Sequence, residues 1–155
     1  MKKYITSFAF IALSCLLTIG CSKKSVNATN PPTTDTIHKA GALLISGNWI
    51  IGLYSQKTED KTSLFANAVF TFSNNGSISV SSNGKTITGT WSYSPSTVGY
   101  YGGPPSKASL TLNLGTEQPF NLLNKTWNND STSTGYVSLV SPEPIENQHV
   151  HFIKQ

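Results

Sequence analysis

The stretch Asn-Gly-Lys-Thr-Ile-Thr-Gly-Thr-Trp-Ser-Tyr-Ser, residues 83–94, decides the fold class. Asn-Gly is the strongest short signal for a two-residue β-hairpin, because a type I′ turn needs positive φ at both positions. The strand that follows alternates strictly, with Ile87, Gly89, Trp91 and Tyr93 on one face and threonine or serine on the other. A period of two is typical of a half-buried strand, so we predict an antiparallel hairpin here.

The same alternation of apolar with small polar residues recurs on both sides of this hairpin. The apolar members predict one shared face for each strand: Trp49, Ile51 and Leu53; Ala68, Phe70 and Phe72; Ile78 and Val80; and Ala108, Leu110, Leu112 and Leu114. Three weaker strands are expected near residues 123–128, 136–140 and 149–153. Helical periodicity is missing from every window of about 11 residues, although residues 62–66 could form one helical turn.

These patterns predict an all-β domain of about eight short strands. One-sided antiparallel strands joined in chain order close most simply into an up-and-down barrel, because closure leaves no free edges. A two-sheet β-sandwich uses the same strand pattern and is the alternative. The longest connections, residues 56–67 and 94–107, are predicted to be loops. The domain should occupy residues 44–155, which is long enough for one small core.

The beginning of the chain has a different character. Lys2 and Lys3 precede an apolar run over residues 4–20, and Cys21 follows Gly20 directly. A positive start, an apolar stretch and a small residue at the cut predict a secretory signal peptide over residues 1–20. A cysteine at this place resembles the lipobox of Bacteroidetes-type lipoproteins, which implies cleavage before Cys21 and acylation of it, palmitate being a typical acyl group. The alternatives are a signal cut elsewhere and an uncleaved anchor, which needs about 20 apolar residues.

Residues 21–43 are polar, contain Pro31-Pro32 and show no periodicity, so we predict a flexible tether. The lipobox resemblance implies a lipid anchor in the bacterial outer membrane. In lipoproteins of this kind, acidic residues just after the lipidated cysteine often accompany export to the cell surface. Residues 22–25 contain none, so the resemblance favours the periplasmic side. Thr36 and Ser131 each follow an aspartate, in a short pattern that resembles an O-glycosylation motif of such bacteria. The motif is short enough that a chance match is the simpler explanation.

Charge and cysteine content exclude several function classes. All 11 basic residues are lysines, and from residue 45 onward six lysines face six acidic residues. A nucleic-acid binder concentrates positive charge on its folded face, and this neutral domain does not. Without arginine the chain lacks the rigid fork that binds phosphate in a bidentate way. Once Cys15 is removed and Cys21 is acylated, no thiol remains for a disulfide, a metal or a nucleophile.

Two short motifs resemble a known family. Gly47-Asn48-Trp49 opens the first strand in the manner of the lipocalin Gly-x-Trp signature, and Gly89-Thr90-Trp91 resembles its recurrence in the lipocalin-like domains of Bacteroidetes-type lipoproteins. The resemblance covers about residues 44–155 and implies a barrel that holds a ligand, without an assigned activity. Lipocalins usually pack an arginine across the first-strand tryptophan, and Lys154 is the candidate substitute here.

The candidate ligand-binding residues are aromatic. Tyr100 and Tyr101 lie in a predicted loop between glycines and prolines. Trp91, Tyr93 and Trp127 are predicted core residues first, and they line a pocket if a barrel of this size is incompletely filled. Stacked aromatic rings without arginine suit a saccharide or a neutral apolar ligand better than a phosphate. The alternative for the loop is that one tyrosine plugs the end of the barrel as part of the core.

Candidate chemistry is sparse. His149 and His151 share one face of the last strand, a spacing that chelates a metal when a third ligand comes from elsewhere. We prefer the simpler interpretation of two solvent-facing polar residues, with no metal or other cofactor. The chain has no Gly-x-Ser-x-Gly elbow, so we expect no enzymatic activity. The expected function is non-catalytic binding of a small apolar or saccharide ligand, and the alternative is a protein–protein interaction or inhibitor module at the outer membrane.

Overall fold

The structure is a computed structural model that describes residues 37–99 and 103–155. The predicted signal peptide, Cys21, Thr36, Tyr100 and Tyr101 lie outside the described residues. In chain order the elements are α1 (Ile37–Leu44), β1 (Asn48–Gln56), β2 (Glu59–Asp60), a first 3₁₀ helix (Thr62–Phe65), β3 (Val69–Phe72), β4 (Ser77–Ser82), β5 (Lys85–Ser94), β6 (Ser109–Asn113), a second 3₁₀ helix (Phe120–Leu123), β7 (Lys125–Ser133), β8 (Tyr136–Val140) and β9 (Gln148–Lys154). None of the described helices is long and apolar enough to cross a bilayer.

The strands form a closed antiparallel barrel. The sheet order is β2-β1-β3-β4-β5-β6-β7-β8-β9, and β1 also pairs with β9. Eight strands therefore make the ring, and the two-residue β2 is an extra strand on β1. The all-β barrel prediction is confirmed, and the closure between β1 and β9 excludes the two-sheet sandwich.

The hairpin that decided the fold class has the predicted geometry. Asn83 has φ 50° and Gly84 has φ 77°, the left-handed values that a type I′ turn requires. From this turn β4 and β5 pair in register from Ser82↔Lys85 to Ser77↔Thr90. The predicted helical turn near residue 62 is also present, as the first 3₁₀ helix.

A β-bulge changes which residues of β1 face the core. The pairing of β1 with β9 shifts between Ile51 and Leu53, where Gly52 is the extra residue. Trp49, Ile51 and Tyr54 are buried, whereas Leu53 is half-buried. The expectation that Leu53 shares the face of Trp49 is therefore wrong, and Tyr54 takes that place. A Cβ on Gly52 would meet the end of the Ile153 side chain, so a larger residue at the bulge would require that side chain to move.

The packed part of the chain begins before the predicted boundary at Leu44. Residues 37–43, assigned to the flexible tether, form most of α1, in which Ala40 and Leu44 are buried. The Nε1 of Trp49 donates a hydrogen bond to the carbonyl of Leu44 at 2.8 Å, which fixes the end of the helix against the first strand. We therefore place the start of the domain at α1.

Lys154 occupies the position that the family resemblance assigned to it, with a different contact. It is the register partner of Trp49. Its Nζ donates to the Oγ of Ser46 at 3.0 Å, and its aliphatic stem lies against Gly47. The ammonium therefore ties the end of β9 to the link between α1 and β1.

Aromatic rings fill the barrel from one end to the other. Consecutive edge-to-face contacts, with ring centroids 5.1–6.1 Å apart, join the following residues in order: Trp91, Phe72, Phe152, Phe70, Phe120, Phe65 and Tyr54. Such pairs each add about 0.5–1.5 kcal/mol to the free energy of burial. The interior is therefore a packed core along this line of rings.

The two ends of the barrel differ in how the chain covers them. The helix end consists of α1, the turn at residues 73–76, the start of β8 and the described residues 95–99 and 103–107 of the connection between β5 and β6, which we call the arm. The plug end contains the two 3₁₀ helices. Phe65, Phe120 and Leu123 of these helices are buried in the core. The plug end is therefore sealed by apolar side chains.

Candidate binding site at the helix end

The inward-facing row of β5 is less buried than the rows of the strands beside it. Ile87, Trp91 and Tyr93 are half-buried, as is Gly89 between them. On β6, Leu110 and Leu112 are at most 2% exposed. Towards the helix end, the rings of Trp91 and Tyr93 in this row are therefore each partly exposed to solvent.

Trp91 is held in place and still partly open. Its Nε1 donates to the carbonyl of Ser73 at 2.9 Å, and its ring packs edge-to-face on Phe72 at 5.3 Å. The backbone N–H of Trp91 also donates to the carbonyl of Gly76 at 2.8 Å. A ring fixed at its edge and exposed elsewhere can offer a surface to a ligand at little entropic cost.

Tyr93 lies beneath α1. A Cβ placed on Gly41 would be 3.2 Å from the Cδ1 of Tyr93, so the glycine lets the helix backbone approach the phenol ring closely. Burial raises the pKa of Tyr93 above its usual value. The helix and β5 thus meet through a glycine and an aromatic face.

The arm folds back on itself. Thr97 and Ser106 exchange two backbone hydrogen bonds of 3.2 and 3.0 Å, and their hydroxyls are 2.8 Å apart. A Cβ on Gly99 would collide with the carbonyl of Gly103, so the two limbs of the arm touch there. The arm is therefore a pinned hairpin-like segment, which the sequence predicted as a plain loop.

A groove of about 370 Å³ runs between the arm and β7. Its lining is mixed in chemistry, with hydroxyl, amide, carboxylate, ammonium and apolar groups from residues Ser96, Thr97, Val98, Pro105, Ser106, Lys107, Ala108, Asn129 and Asp130. Small-molecule sites have volumes of roughly 300–1,000 Å³, so this groove is at the small end of that range. Its size and polarity suit one small polar ligand.

A bulge in β7 presents Asp130 to this groove. The pairing with β8 shifts between Asn129 and Ser131, which leaves Asp130 as the unpaired residue. Its Oδ2 accepts a hydrogen bond of 3.4 Å from the hydroxyl of Ser138, a residue that is 2% exposed. The sequence pattern does not single out Asp130 and Asn129 as site residues. Residues 128–133 are all polar, so no change in alternation indicates the bulge.

His149 and His151 lie on the outer face of β9, which is where sequence analysis put them. No group of three or more metal-ligating side chains occurs among residues 37–99 and 103–155. His149 instead pairs its Nε2 with the Oδ1 of Asn147 at 3.2 Å. Burial and the neighbouring His149 lower the pKa of His151, and the Asp130 carboxylate partly opposes this. In the described part of the chain the metal-binding alternative has no third ligand.

The same face contains Ser138, His151 and Asp130. They are not arranged as in a catalytic triad, in which the histidine lies between the serine and the aspartate. Ser138 is the register partner of His151 on the adjacent strand. Its hydroxyl donates a hydrogen bond directly to the carboxylate of Asp130, so no imidazole lies between the two groups. The contact holds the carboxylate beside Ser138.

The remaining predicted ligand residues are not brought together with this site. Trp127 is fully buried, its Nε1 donates to the carbonyl of Leu123 at 2.9 Å, and Lys125 lies 5.2 Å from its ring centre. It is a core residue near the plug end. Tyr100 and Tyr101 belong to the arm by sequence and lie outside the described residues.

Comparisons with known proteins add little to this description. No protein-family model matches the sequence, and no curated protein matches it. Among solved structures, the chain is similar to the crystal structure of a DUF4847 family protein from Bacteroides vulgatus. The two share 19% identity over 75% of this chain and 99% of that chain, with a TM-score of 0.49.

Proposed function

We propose that this protein is a non-catalytic, lipocalin-like binding domain that is held at the bacterial outer membrane by an acylated Cys21 and faces the periplasm. Its ligand binds at the helix end of the barrel and not in its interior. The observation that carries the proposal is the contrast between the filled core and the half-buried row of Trp91 and Tyr93. A ligand inside would have to displace several packed rings, whereas the helix end already offers partly exposed aromatic surface.

The ligand class follows from the side chains at this end. The chain has no arginine for bidentate phosphate binding. Aromatic faces with hydroxyl and amide groups nearby are suited to a saccharide or a small neutral apolar molecule. A protein partner is the second candidate, and Val98 supports it, because 58% of this apolar residue of the arm is exposed.

The membrane anchor has its own test. Mass spectrometry of the protein isolated from its native host should show a mature chain that begins at Cys21 and carries diacylglycerol and an N-terminal acyl group. An unmodified N-terminus, or a chain that retains residues 1–20, would contradict this part of the proposal and leave the binding site untouched.

Ligand binding is tested by titrating the ¹⁵N-labelled full chain with methyl glycosides of glucose, mannose and N-acetylglucosamine, and separately with 1-octanol as a neutral apolar probe. We expect amide shifts confined to the helix end, at residues 40–48, 73–76, 91–99, 103–109 and 128–137. Shifts that extend to the inward residues Leu139 of β8 and Val150 of β9 would indicate an internal ligand and overturn the proposal. If neither probe shifts any amide signal, a protein partner would be favoured instead.

A further inference from the structure

We infer that the groove between the arm and β7 is a binding site for one neutral sugar ring, with Asp130 as the residue that recognises its hydroxyls. This rests on the proposed function and assigns the site and the ligand class within the helix end. The groove is distinct from the pair of aromatic residues on β5, because neither Trp91 nor Tyr93 lines it.

The charge of the groove favours a neutral ligand. Asp130 is the acidic residue of its lining and Lys107 the basic one, so the formal charges cancel. A carboxylate accepts hydrogen bonds from two adjacent hydroxyls, an ammonium donates to hydroxyl or ring oxygens, and the amide of Asn129 can do both. An anionic ligand would be repelled by the carboxylate of Asp130. An apolar ligand would leave the carboxylate, the ammonium and the amide without hydrogen-bond partners.

The apolar residues of the lining also suit a sugar ring. Val98, Pro105 and Ala108 contribute carbon surface to a lining that is otherwise polar. A pyranose ring presents C–H groups on its faces and hydroxyls around its rim. A lining that contains both carbon surface and hydrogen-bonding groups suits such a ring, whereas a uniformly polar or uniformly apolar lining would not.

Both walls of the groove are fixed before any ligand arrives. The arm is pinned by the bonds between Thr97 and Ser106. On the other wall, the backbone N–H of Asn129 donates to the carbonyl of Ala108 at 2.7 Å, and its side-chain amide bonds the hydroxyl of Thr132 at 3.0 Å. Preorganised walls lower the entropic cost of binding a small ligand.

Ser138 is the positioning residue for the carboxylate. It is almost fully buried, and its hydroxyl donates to one oxygen, Oδ2, of Asp130. The other oxygen, Oδ1, has no hydrogen bond from the residues that the structure describes, and Asp130 itself is exposed. The bulge in β7 therefore holds an exposed carboxylate of which one oxygen, Oδ2, accepts the hydrogen bond from Ser138.

The test is calorimetric titration of the full chain with the three methyl glycosides, using wild type and three variants. We expect Asp130→Asn to weaken the best glycoside at least tenfold, because hydrogen bonds to a charged acceptor are about twice as strong as neutral ones. Ser138→Ala should weaken it about threefold and be rescued by Ser138→Thr. Asp60→Asn, an exposed acid on β2 at the other end of the barrel, is the matched control and should leave the affinity unchanged.

Three outcomes would overturn the inference. Unchanged glycoside affinity in Asp130→Asn, with amide shifts still at the helix end, would move the sugar site away from the groove and leave the proposed function standing. Tighter binding of the methyl glycoside of galacturonic acid, which carries a free carboxylate, than of the neutral glycosides would contradict the ligand class. Displacement of a bound glycoside by 1-octanol, with amide shifts at residues 96–98 and 105–108, would show that the groove is an apolar site.

Discussion

The plug end and the helix end of the barrel are built from the same alternating strands and are finished in opposite ways. At the plug end, Phe65 and Phe120 are at most 4% exposed and stack edge-to-face at 6.0 Å. At the helix end, Trp91 and Tyr93 are half-buried, and a pinned arm leaves a groove open beside β7. One end is therefore closed by packed apolar rings, and the other leaves polar and aromatic surface exposed to solvent.

The largest effect should come from breaking the plug. Phe120→Ala removes a ring that contacts both Phe65 and Phe70, so we expect the free energy of unfolding to fall by about 3–5 kcal/mol. Urea unfolding followed by circular dichroism measures the loss. Val98→Ala in the arm is the control, with an expected change within about 0.5 kcal/mol. A loss below about 1 kcal/mol in Phe120→Ala would mean that the plug end is not a packed core.

Trp91 gives a smaller effect and an optical readout. Trp49 and Trp127 have 0% exposure, so acrylamide should quench mainly the emission of Trp91. Trp91→Phe should remove most of the quenchable fluorescence. It should also cost about 0.5–1.5 kcal/mol, because the bond to the carbonyl of Ser73 is lost. Equal quenching before and after the substitution would contradict the openness of the helix end.

Tyr54 probes a polar atom left inside the plug end. Its hydroxyl is buried and has no hydrogen-bond partner among the described residues, and burial, reinforced by Glu146, raises its pKa. Tyr54→Phe should therefore be neutral or stabilise the protein by up to about 1 kcal/mol in urea unfolding. Tyr93→Phe at the helix end is the comparison and should change stability little. A clear destabilisation by Tyr54→Phe would reveal a partner for the hydroxyl.

His151 should make stability depend weakly on pH. Its pKa in the folded state lies below the usual value of 6.5, so the unfolded chain binds the proton more readily. Stability should therefore fall as the pH drops through about 6.5 and below, and should be unaffected by this group above that range. The groups that face it are His149, Tyr136, Ser138 and Asp130. In urea titrations at pH 7.5 and 5.5, His151→Gln should lose less stability than wild type; an equal loss would assign the effect elsewhere.

Only part of the candidate site could be predicted from residue patterns in the sequence. Trp91 and Tyr93 could be chosen from the sequence because an aromatic pair on an otherwise regular strand is a local feature. Asp130 could not, since its role depends on a bulge within a uniformly polar strand and on a buried serine from the next strand. The sequence predicts both Trp127 and Trp91 as candidate ligand-binding residues. The structure distinguishes them, because Trp127 is fully buried in the core.

The sequence by itself determined the strands, their inward faces and the tight turns, because a period of two and an Asn-Gly pair are local properties of the chain. Tertiary structure decided the rest. Closure between β1 and β9, the bulge that exchanged Leu53 for Tyr54, and the packing of α1 on Tyr93 each join segments that are distant in sequence. Such contacts depend on which side chains fill the common interior, and no window of a few residues contains that information.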